Sequence, residues 1–517
     1  MLFPVNTISA SGPGDWRIGF GGPGDRISRH GIFEGAIRHP TPAGDPFRDV
    51  RLTTCFESPS GRIRYFRGFY DGDDCWRFRY RPDELGGWRY SAWFSGGGTR
   101  CSGTFEVVEG DIPAPISVFR PNPIWFGQGG EHPFYPRGLH IGDRFFAANW
   151  PHEKRAAFLD YVQRQGYNLL SVASHFLNRT SEGRGLGWET PDLWPLNPSE
   201  YTRMESILAD LAARRIVVFP FGGFFGRDSN YPREPADQEL YLSYTLARIG
   251  PYWNILFNVA GPEPNLVPWM EAEEVERLAR LIRRLDGFNH PISVHNKTGD
   301  DEYKHADWTD FSTLQGPKTV DRKQLWRGLR QNRNSAKPLL AQETLWTGNM
   351  YHLREPWQPR NDYTEEDVVR NGWVLALAGT ALCYGDNNGN SSSGFSGTLE
   401  LSERNQRFHD ILKRIWDFME QVPYYRMRPI HDAASDAYVL GEPGVEYLVF
   451  FESAEETTLA LADSTHYRGR WHRAECPGVP EYAVVLDHYR AGEPLHPPEA
   501  GRDWLLHLNR HPKVEIK

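Results

Sequence analysis

The chain is short of cysteine, of charge of one sign and of long apolar runs, and each shortage removes a class of protein. Five cysteines, Cys55, Cys75, Cys101, Cys383 and Cys476, are scattered over 517 residues. An odd, dispersed set does not build a disulfide framework, although a Cys55–Cys101 or Cys75–Cys101 bridge stays open in the N-terminal part. None has the Cys-x-x-Cys spacing of a zinc ribbon. The net charge is −9 and no block of lysine and arginine stands out, which argues against a nucleic acid or an anionic membrane as partner. No apolar run is long enough to span a bilayer. The N-terminus, Met1-Leu2-Phe3-Pro4-Val5-Asn6, has no basic segment followed by an apolar one. The expectation is therefore a complete, cytoplasmic chain without a secretory signal. Internal repeats and low-complexity tracts are absent too. No Gly-x-Gly-x-x-Gly turn follows an early strand, which weakens a dinucleotide site, and no cofactor is expected.

Aromatic residues are abundant instead, at 14% of the chain with 18 Trp and 23 Tyr. Large cores and β-sandwich faces account for most of them. The sharper reading is that some line a sugar-binding cleft, because flat apolar rings pack on the C–H faces of pyranoses and furanoses. The length exceeds what one hydrophobic core supports, so several domains are expected.

Residues 1–30 are rich in Gly, Pro and Asp and read as an irregular arm. Over 31–112 the pattern turns to period two: Trp76, Phe78 and Tyr80 alternate with arginines, and Trp88, Tyr90, Ala92 and Phe94 alternate again. Such spacing predicts half-buried antiparallel strands. With turn residues at Asp71-Gly72-Asp73-Asp74 and Leu85-Gly86-Gly87, it describes a small immunoglobulin-like β-sandwich. Pro113, Pro115, Pro121 and Pro123 then mark a stiff linker. Over 113–426, short apolar runs alternate with amphipathic helices. Eight runs read as strands, at 135–140, 168–174, 217–221, 254–260, 291–295, 311–315, 338–342 and 381–384. Helical spacing recurs between most of them, as in Val275, Leu278, Ala279, Ile282 and Leu285. After the eighth run it returns in Phe408, Ile411, Leu412, Ile415 and Met419. Asn197-Pro198-Ser199-Glu200 and Thr364-Glu365-Glu366-Asp367 look like helix starts. Eight βα units over this length predict a (β/α)₈ barrel. Over 427–517 the strand pattern returns at 438–440, 447–451, 458–461 and 504–508, giving a second small β-sandwich. The expected fold class is thus α/β, a TIM barrel flanked by two all-β sandwich domains.

A parallel barrel keeps its chemistry at the C-terminal tips of its strands. Polar residues crowd that end of every run. The first ends at His140, the second leads to His175, the fourth holds Asn258 and leads through Gly261-Pro262 to Glu263. The fifth ends at His295, the sixth at Gln315, the seventh at Glu343 followed by Trp346, and the eighth leads to Asp386. Glutamates after the fourth and seventh runs can be brought within several Å of each other. Glycosidic bond cleavage needs such a pair, one carboxyl to protonate the leaving oxygen and the other to attack the anomeric carbon or activate water. The expected catalytic residues are Glu263 and Glu343. His140, His175, Asn258, His295, Gln315, Trp346 and Asp386 are expected to hold the sugar. Each of these residue types is common in a purely structural role, and Asp386 equally could cap its Asn/Gly loop. His140, His175 and His295 come from three strands without metal-ligand grouping, so no metal is expected. The expected partner is a carbohydrate substrate, and the sequence leaves room for a homo-oligomer.

These residues also carry a family resemblance. Glu263 and Glu343 look like the acid/base and nucleophile of clan A glycoside hydrolases. The whole chain resembles the apiosidase-like barrel proteins, in which a β-sandwich precedes the barrel and a β-sandwich module named for collagen binding follows it. Gly68-Phe69-Tyr70-Asp71-Gly72 with Gly87-Trp88-Arg89-Tyr90 carries the first module. Phe134-Tyr135-Pro136-Arg137-Gly138 carries the first barrel strand, and Pro497-Pro498 with Asp503-Trp504-Leu505-Leu506 the last module. The resemblance implies a glycosidase, with relatives that are often exported; substrate and stereochemistry do not carry over from it, and the retaining mechanism expected here is the reading of the two glutamates. Pro262 stands where clan A barrels usually carry Asn. That departure keeps an alternative, a catalytically inactive carbohydrate-binding protein on a barrel scaffold. A polysaccharide lyase has little support, since no basic patch is evident to neutralise a uronate.

Overall fold

Buried and exposed positions alternate along the N-terminal strands, and this places one face of each in a shared core. The computed structural model describes residues 19–39, 44–141, 145, 152–172, 196–220, 222–226, 231–261, 263–264, 270–296, 299–347, 363–386, 403–434, 436–461 and 466–510. The chain divides into two compact units. One comprises Met1–Ser117, Asp143–Arg155 and Val172–Val294, the other Val118–Gly142, Ala156–Ser171 and His295–Lys517.

In the first unit, two sheets of four and five strands form the N-terminal sandwich. Phe33, Phe56, Trp76, Phe78, Tyr80, Trp88, Tyr90, Ala92, Phe94 and Phe105 meet in its core, so both expected alternations face inward. The segment expected to be an irregular arm contains two short strands. Phe20–Gly21 runs parallel to Ile32–Arg38, and Arg26–Ser28 parallel to Arg100–Val108. Ile27 alone of the latter reaches the core, too short a signal for periodicity to detect. Beyond the sandwich, Val217–Pro220, the run around Phe257–Asn258 and Ile292–Ser293 are linked in parallel through Val218↔Ile255, Phe257↔Ile292 and Asn258↔Ser293. Helices Pro198–Ala213, Pro235–Ile249 and Ala272–Leu285 intervene. Asn197 caps the first through its side chain, and Val275, Leu278, Ala279 and Ile282 form the buried stripe of the third.

Sandwich and helices in this unit share a buried ion network. Arg79 donates to Glu34 at 2.8 Å and to Glu205 at 3.1 Å. Arg248 donates to Glu205 at 2.5 Å and pairs with Asp71 at 2.9 Å. The Phe69 ring lies against both guanidiniums, 5.0 Å from Arg79 and 4.5 Å from Arg248. Burial pushes the Glu205 carboxyl up, but Arg248 and Arg79 outweigh it and hold the group below its ordinary value.

The second unit holds a parallel sheet in the order Leu169–Val172, Arg137–Ile141, Thr380–Asp386, Leu339–Thr347, Ser312–Leu314. Every position of Leu339–Thr347 and of Thr380–Asp386 is buried, as befits strands covered on both faces. Thr364 and Asp367 form a capping box at the start of helix Glu365–Leu377, and helix Glu403–Gln421 follows. A six-stranded antiparallel sheet and a two-stranded one make the C-terminal sandwich, cored by Val439, Tyr447, Val449, Phe451, Trp471, Trp504 and Leu506. Two of its strands, His466–Arg473 and Val484–Arg490, were not legible in the sequence. The first carries only Tyr467 and Trp471 into the core, with Gly469 in phase between them, and the second holds an extra residue at its bulge and leaves Val484 and Val485 exposed.

Each of the eight expected runs therefore carries strand, and the fold is mixed α/β, a parallel sheet with separate all-β sheets. All five cysteines are free thiols, so neither bridge left open by the sequence forms. Among the described residues no helix is long and apolar enough to cross a membrane.

Glu205→Ala leaves Arg79 and Arg248 facing each other without their shared carboxylate. The expected loss is about 3–5 kcal/mol of stability, read from chemical unfolding. A loss below about 1 kcal/mol would show that Glu34 and Asp71 suffice.

Candidate active site

Glu343 stands on an irregularity in its own strand. Pairing between Leu339–Thr347 and Thr380–Asp386 runs in register from Leu339↔Thr380 to Ala341↔Leu382 and resumes at Leu345↔Tyr384. Gln342, Glu343 and Thr344 thus face a single residue, Cys383. A bulge of this kind bends the strand and re-aims its side chains. It lets Gln342 and Glu343 both reach polar partners in a strand that is otherwise sealed.

The Glu343 carboxylate is 3% exposed. Its Oε2 accepts a 2.6 Å hydrogen bond from the Gln315 amide and a 3.2 Å charge-assisted one from Lys318 Nζ. Its Oε1 lies 4.0 Å from His295 Nε2, beyond hydrogen-bond reach. Burial alone would raise the carboxyl, but the Lys318 ammonium, with His140, His295 and the Gln315 hydrogen bond, holds it at about 2. It is ionised at any ordinary pH.

Gln342 organises the neighbours. Its Oε1 takes a hydrogen bond from His295 Nδ1 at 2.8 Å, and its amide donates to Ser171 Oγ at 2.7 Å. Ser171 Oγ in turn is 3.2 Å from His140 Nδ1. With the serine donating in that contact, His140 carries its proton on Nε2. Burial, against a smaller pull from Glu343, drops His140 to about 3, so it is a neutral ring. The His140 ring lies 4.5 Å from that of Trp346, and Lys318 Nζ lies 5.8 Å from the same indole. Trp346 is fully buried and sits over Gly385, where a Cβ would overlap its ring.

Of the residues expected at the site, His140, His295, Gln315, Glu343 and Trp346 come together in this cluster. Gln315 grips the carboxylate, and Trp346 lies against the His140 ring. Asp386 turns elsewhere: its Oδ2 is 2.9 Å from His409 Nε2 on helix Glu403–Gln421, and His409 Nδ1 is 2.6 Å from Tyr167 Oη. His409 is fully buried, edge-on to the rings of Tyr161, Tyr167 and Tyr384. Asn258 and Glu263 belong to the first unit. Asn258 is fully buried on its short strand. Glu263 is half-buried with φ at 51°, a left-handed conformation that is strained for any residue but glycine. His175 lies outside the described residues. Among the described residues no group of three or more His, Cys, Asp or Glu is placed to hold a metal ion.

Sequence reasoning missed Lys318, Gln342, Ser171 and His409. Ser171 and Gln342 did leave a signal, each a polar residue inside an apolar strand, in Leu169-Leu170-Ser171-Val172 and Leu339-Leu340-Ala341-Gln342. Lys318 left none, since Gln315-Gly316-Pro317-Lys318 reads as an ordinary exit loop.

In comparison with known structures, the fold is similar to those of proteins described as glycoside hydrolases. A proposed glycoside hydrolase from Bacteroides vulgatus superposes with a TM-score of 0.69 at 17% identity, covering 94% of this chain and 100% of the other. A family 5 glycoside hydrolase from the same organism gives 0.58 at 15% identity, over 78% of this chain and 95% of the other. More narrowly, residues 145–391 match the apiosidase-like catalytic domain, and residues 26–95 match a domain of unknown function, DUF5060. The chain is thus similar to the apiosidase-like catalytic domain over just under half of its length, with the DUF5060 match ahead of it in sequence. No curated protein matches the chain.

If Asp386 serves to fix His409, Asp386→Ala strands a buried imidazole and is expected to cost about 1–3 kcal/mol, visible as a lower melting temperature. A sugar-binding role would instead leave the melting temperature unchanged and raise KM.

Proposed function

We propose that the protein hydrolyses a glycosidic bond in an oligosaccharide or glycoside, on a closed (β/α)₈ barrel, by a retaining mechanism with Glu343 as nucleophile and Glu263 as acid/base. The observation that carries this reading is the state of Glu343. It is a buried carboxylate held ionised, with Oε2 clamped by Gln315 and Lys318 and Oε1 left without a hydrogen bond among the described residues. A nucleophile needs that combination: negative charge, fixed orientation and one oxygen open to the anomeric carbon. The apiosidase-like match and the glycoside hydrolase fold support glycosidic bond hydrolysis in general.

In the first step Glu343 Oε1 bonds to the anomeric carbon as the bond to the aglycone breaks, and Glu263 gives its proton to the departing oxygen. In the second, the Glu263 carboxylate takes a proton from water, the water oxygen attacks the same carbon, and the bond to Glu343 breaks. The strained backbone at Glu263 supports its role, because such strain concentrates at functional positions. The neutral His140 and the Nδ1-protonated His295 are suited to hydroxyl contacts.

A panel of aryl glycosides, furanosides included, tests the proposal, with product stereochemistry followed by NMR. Net retention of anomeric configuration is expected; inversion would remove the nucleophile role from Glu343. Glu343→Gln should abolish turnover of every substrate in the panel. Glu263→Gln should lower kcat by about 10²–10⁴-fold on poor leaving groups and much less on dinitrophenyl glycosides, which depart without a proton. Wild-type rates in both variants would overturn the assignment of both carboxylates, whereas no turnover of any panel member by the wild-type protein would leave a carbohydrate-binding protein as the reading.

A further inference from the structure

Lys318 is a cation with one ionic partner among the described residues, the Glu343 carboxylate. Its side chain is 6% exposed, its ammonium 3.2 Å from Glu343 Oε2 and 5.8 Å from the Trp346 ring centre. Taking an ammonium out of water is unfavourable by several kcal/mol unless a counter-charge meets it. The pair is therefore strongly interdependent. Resting on the reading of Glu343 as nucleophile, we propose that Lys318 is a positioning residue that controls how Glu343 departs: it speeds breakdown of the glycosyl–enzyme rather than its formation.

The charge arithmetic gives the direction. When Glu343 Oε1 bonds to the anomeric carbon, the carboxylate becomes a neutral ester and Lys318 loses its counter-charge. When water displaces the ester, the electron pair of the carbon–Oε1 bond returns to Glu343, and the ammonium meets the charge as it develops. An interaction that exists only with the free carboxylate holds back the first step and assists the second. The two oxygens are used differently: Lys318 and Gln315 bind Oε2, so the attacking Oε1 is not blocked.

The other groups facing Glu343 do not duplicate Lys318. His140 is neutral. His295 spends Nδ1 on Gln342 and keeps Nε2 4.0 Å from Oε1. Cys383, on the paired strand, is held as a neutral thiol by burial. Without the ammonium, burial acts on Glu343 with less opposition and raises its pKa.

Lys318→Met keeps the length of the side chain and removes the charge; Lys318→Gln removes the charge but can still donate a hydrogen bond. The probe is the 2,4-dinitrophenyl glycoside of whichever sugar the aryl glycoside panel identifies. Either variant should show a pre-steady-state burst of dinitrophenol and a kcat lowered by about 10–100-fold. KM should fall with kcat, so that kcat/KM changes much less, and the acid limb of kcat/KM should move to higher pH. A kcat and acid limb unchanged from wild type would overturn the inference, as would equal losses in kcat and kcat/KM without a burst. If neither variant folds, ring-fluorinated activated glycosides are used on the wild type. Inactivation that stays undiminished as pH falls below 4.5 supports the pairing, and inactivation lost with an apparent pKa at or above that overturns it. The site of labelling separates the two readings. Label on Glu343 with variants behaving as wild type removes only the role of Lys318. Label on another residue removes the assignment of Glu343 itself.

Discussion

The Glu343 carboxylate is buried in the parallel sheet of the second unit, and its neighbours are arranged to keep it a charge. Desolvation alone would neutralise Glu343. The bulge at Gln342–Thr344 gives the carboxylate room, and the loop after Ser312–Leu314 brings Gln315 and Lys318 to one of its oxygens. The same bulge frees Gln342 to span from His295 to Ser171. A single amide thereby fixes the hydrogen-bonding of groups on three stretches of chain. His140 has to be neutral in this setting, because a second buried cation beside Lys318 would be unmet, and its burial keeps it so.

The first unit shows what a buried carboxylate looks like when it is only structural. Glu205 has Arg248 on Oε1, and Arg79 and Arg248 on Oε2, and the arginines are themselves matched by Glu34 and Asp71. Every strong acceptor direction is used. Both Glu205 and Glu343 are held below the ordinary carboxylate value, so ionisation alone does not separate an anchor from a nucleophile. The difference lies in saturation. Glu343 has its strong donors on one oxygen only, and that asymmetry is what chemistry at the other oxygen requires.

The elements were far more legible than the contacts. Eight apolar runs could be read because buried parallel strands are written as continuous hydrophobic stretches. Trp76 through Phe94 could be read because a half-buried sheet is written as alternation. His466–Arg473 could not, since only Tyr467 and Trp471 among its large side chains face the core and Gly469, in phase between them, carries no hydrophobic signal. At the site, Glu343 was visible as a charge terminating an apolar strand. Lys318 was not, because a lysine in a Gly-Pro loop is written the same way whether it meets water or a carboxylate. Asp386 was visible as polar but not as to purpose: its partner His409 lies on a helix 23 residues away, a separation no local pattern encodes. Sequence spacing reports which face a residue is on, whereas function depends on which atoms meet there.

Glu263 poses the same question from the backbone side. Its φ of 51° suits glycine and strains any residue with a Cβ. Prolines stand on both sides, at 262 and 264, and a residue preceding proline is already restricted in its backbone. Substitution by glycine would relieve the local strain, and a loop free to vary has no need of a carboxylate there. Strain of about 1–3 kcal/mol persists only where the surroundings or the side chain's use compensate for it. Proline at both flanks narrows what the unfolded chain can adopt, which offsets part of that penalty.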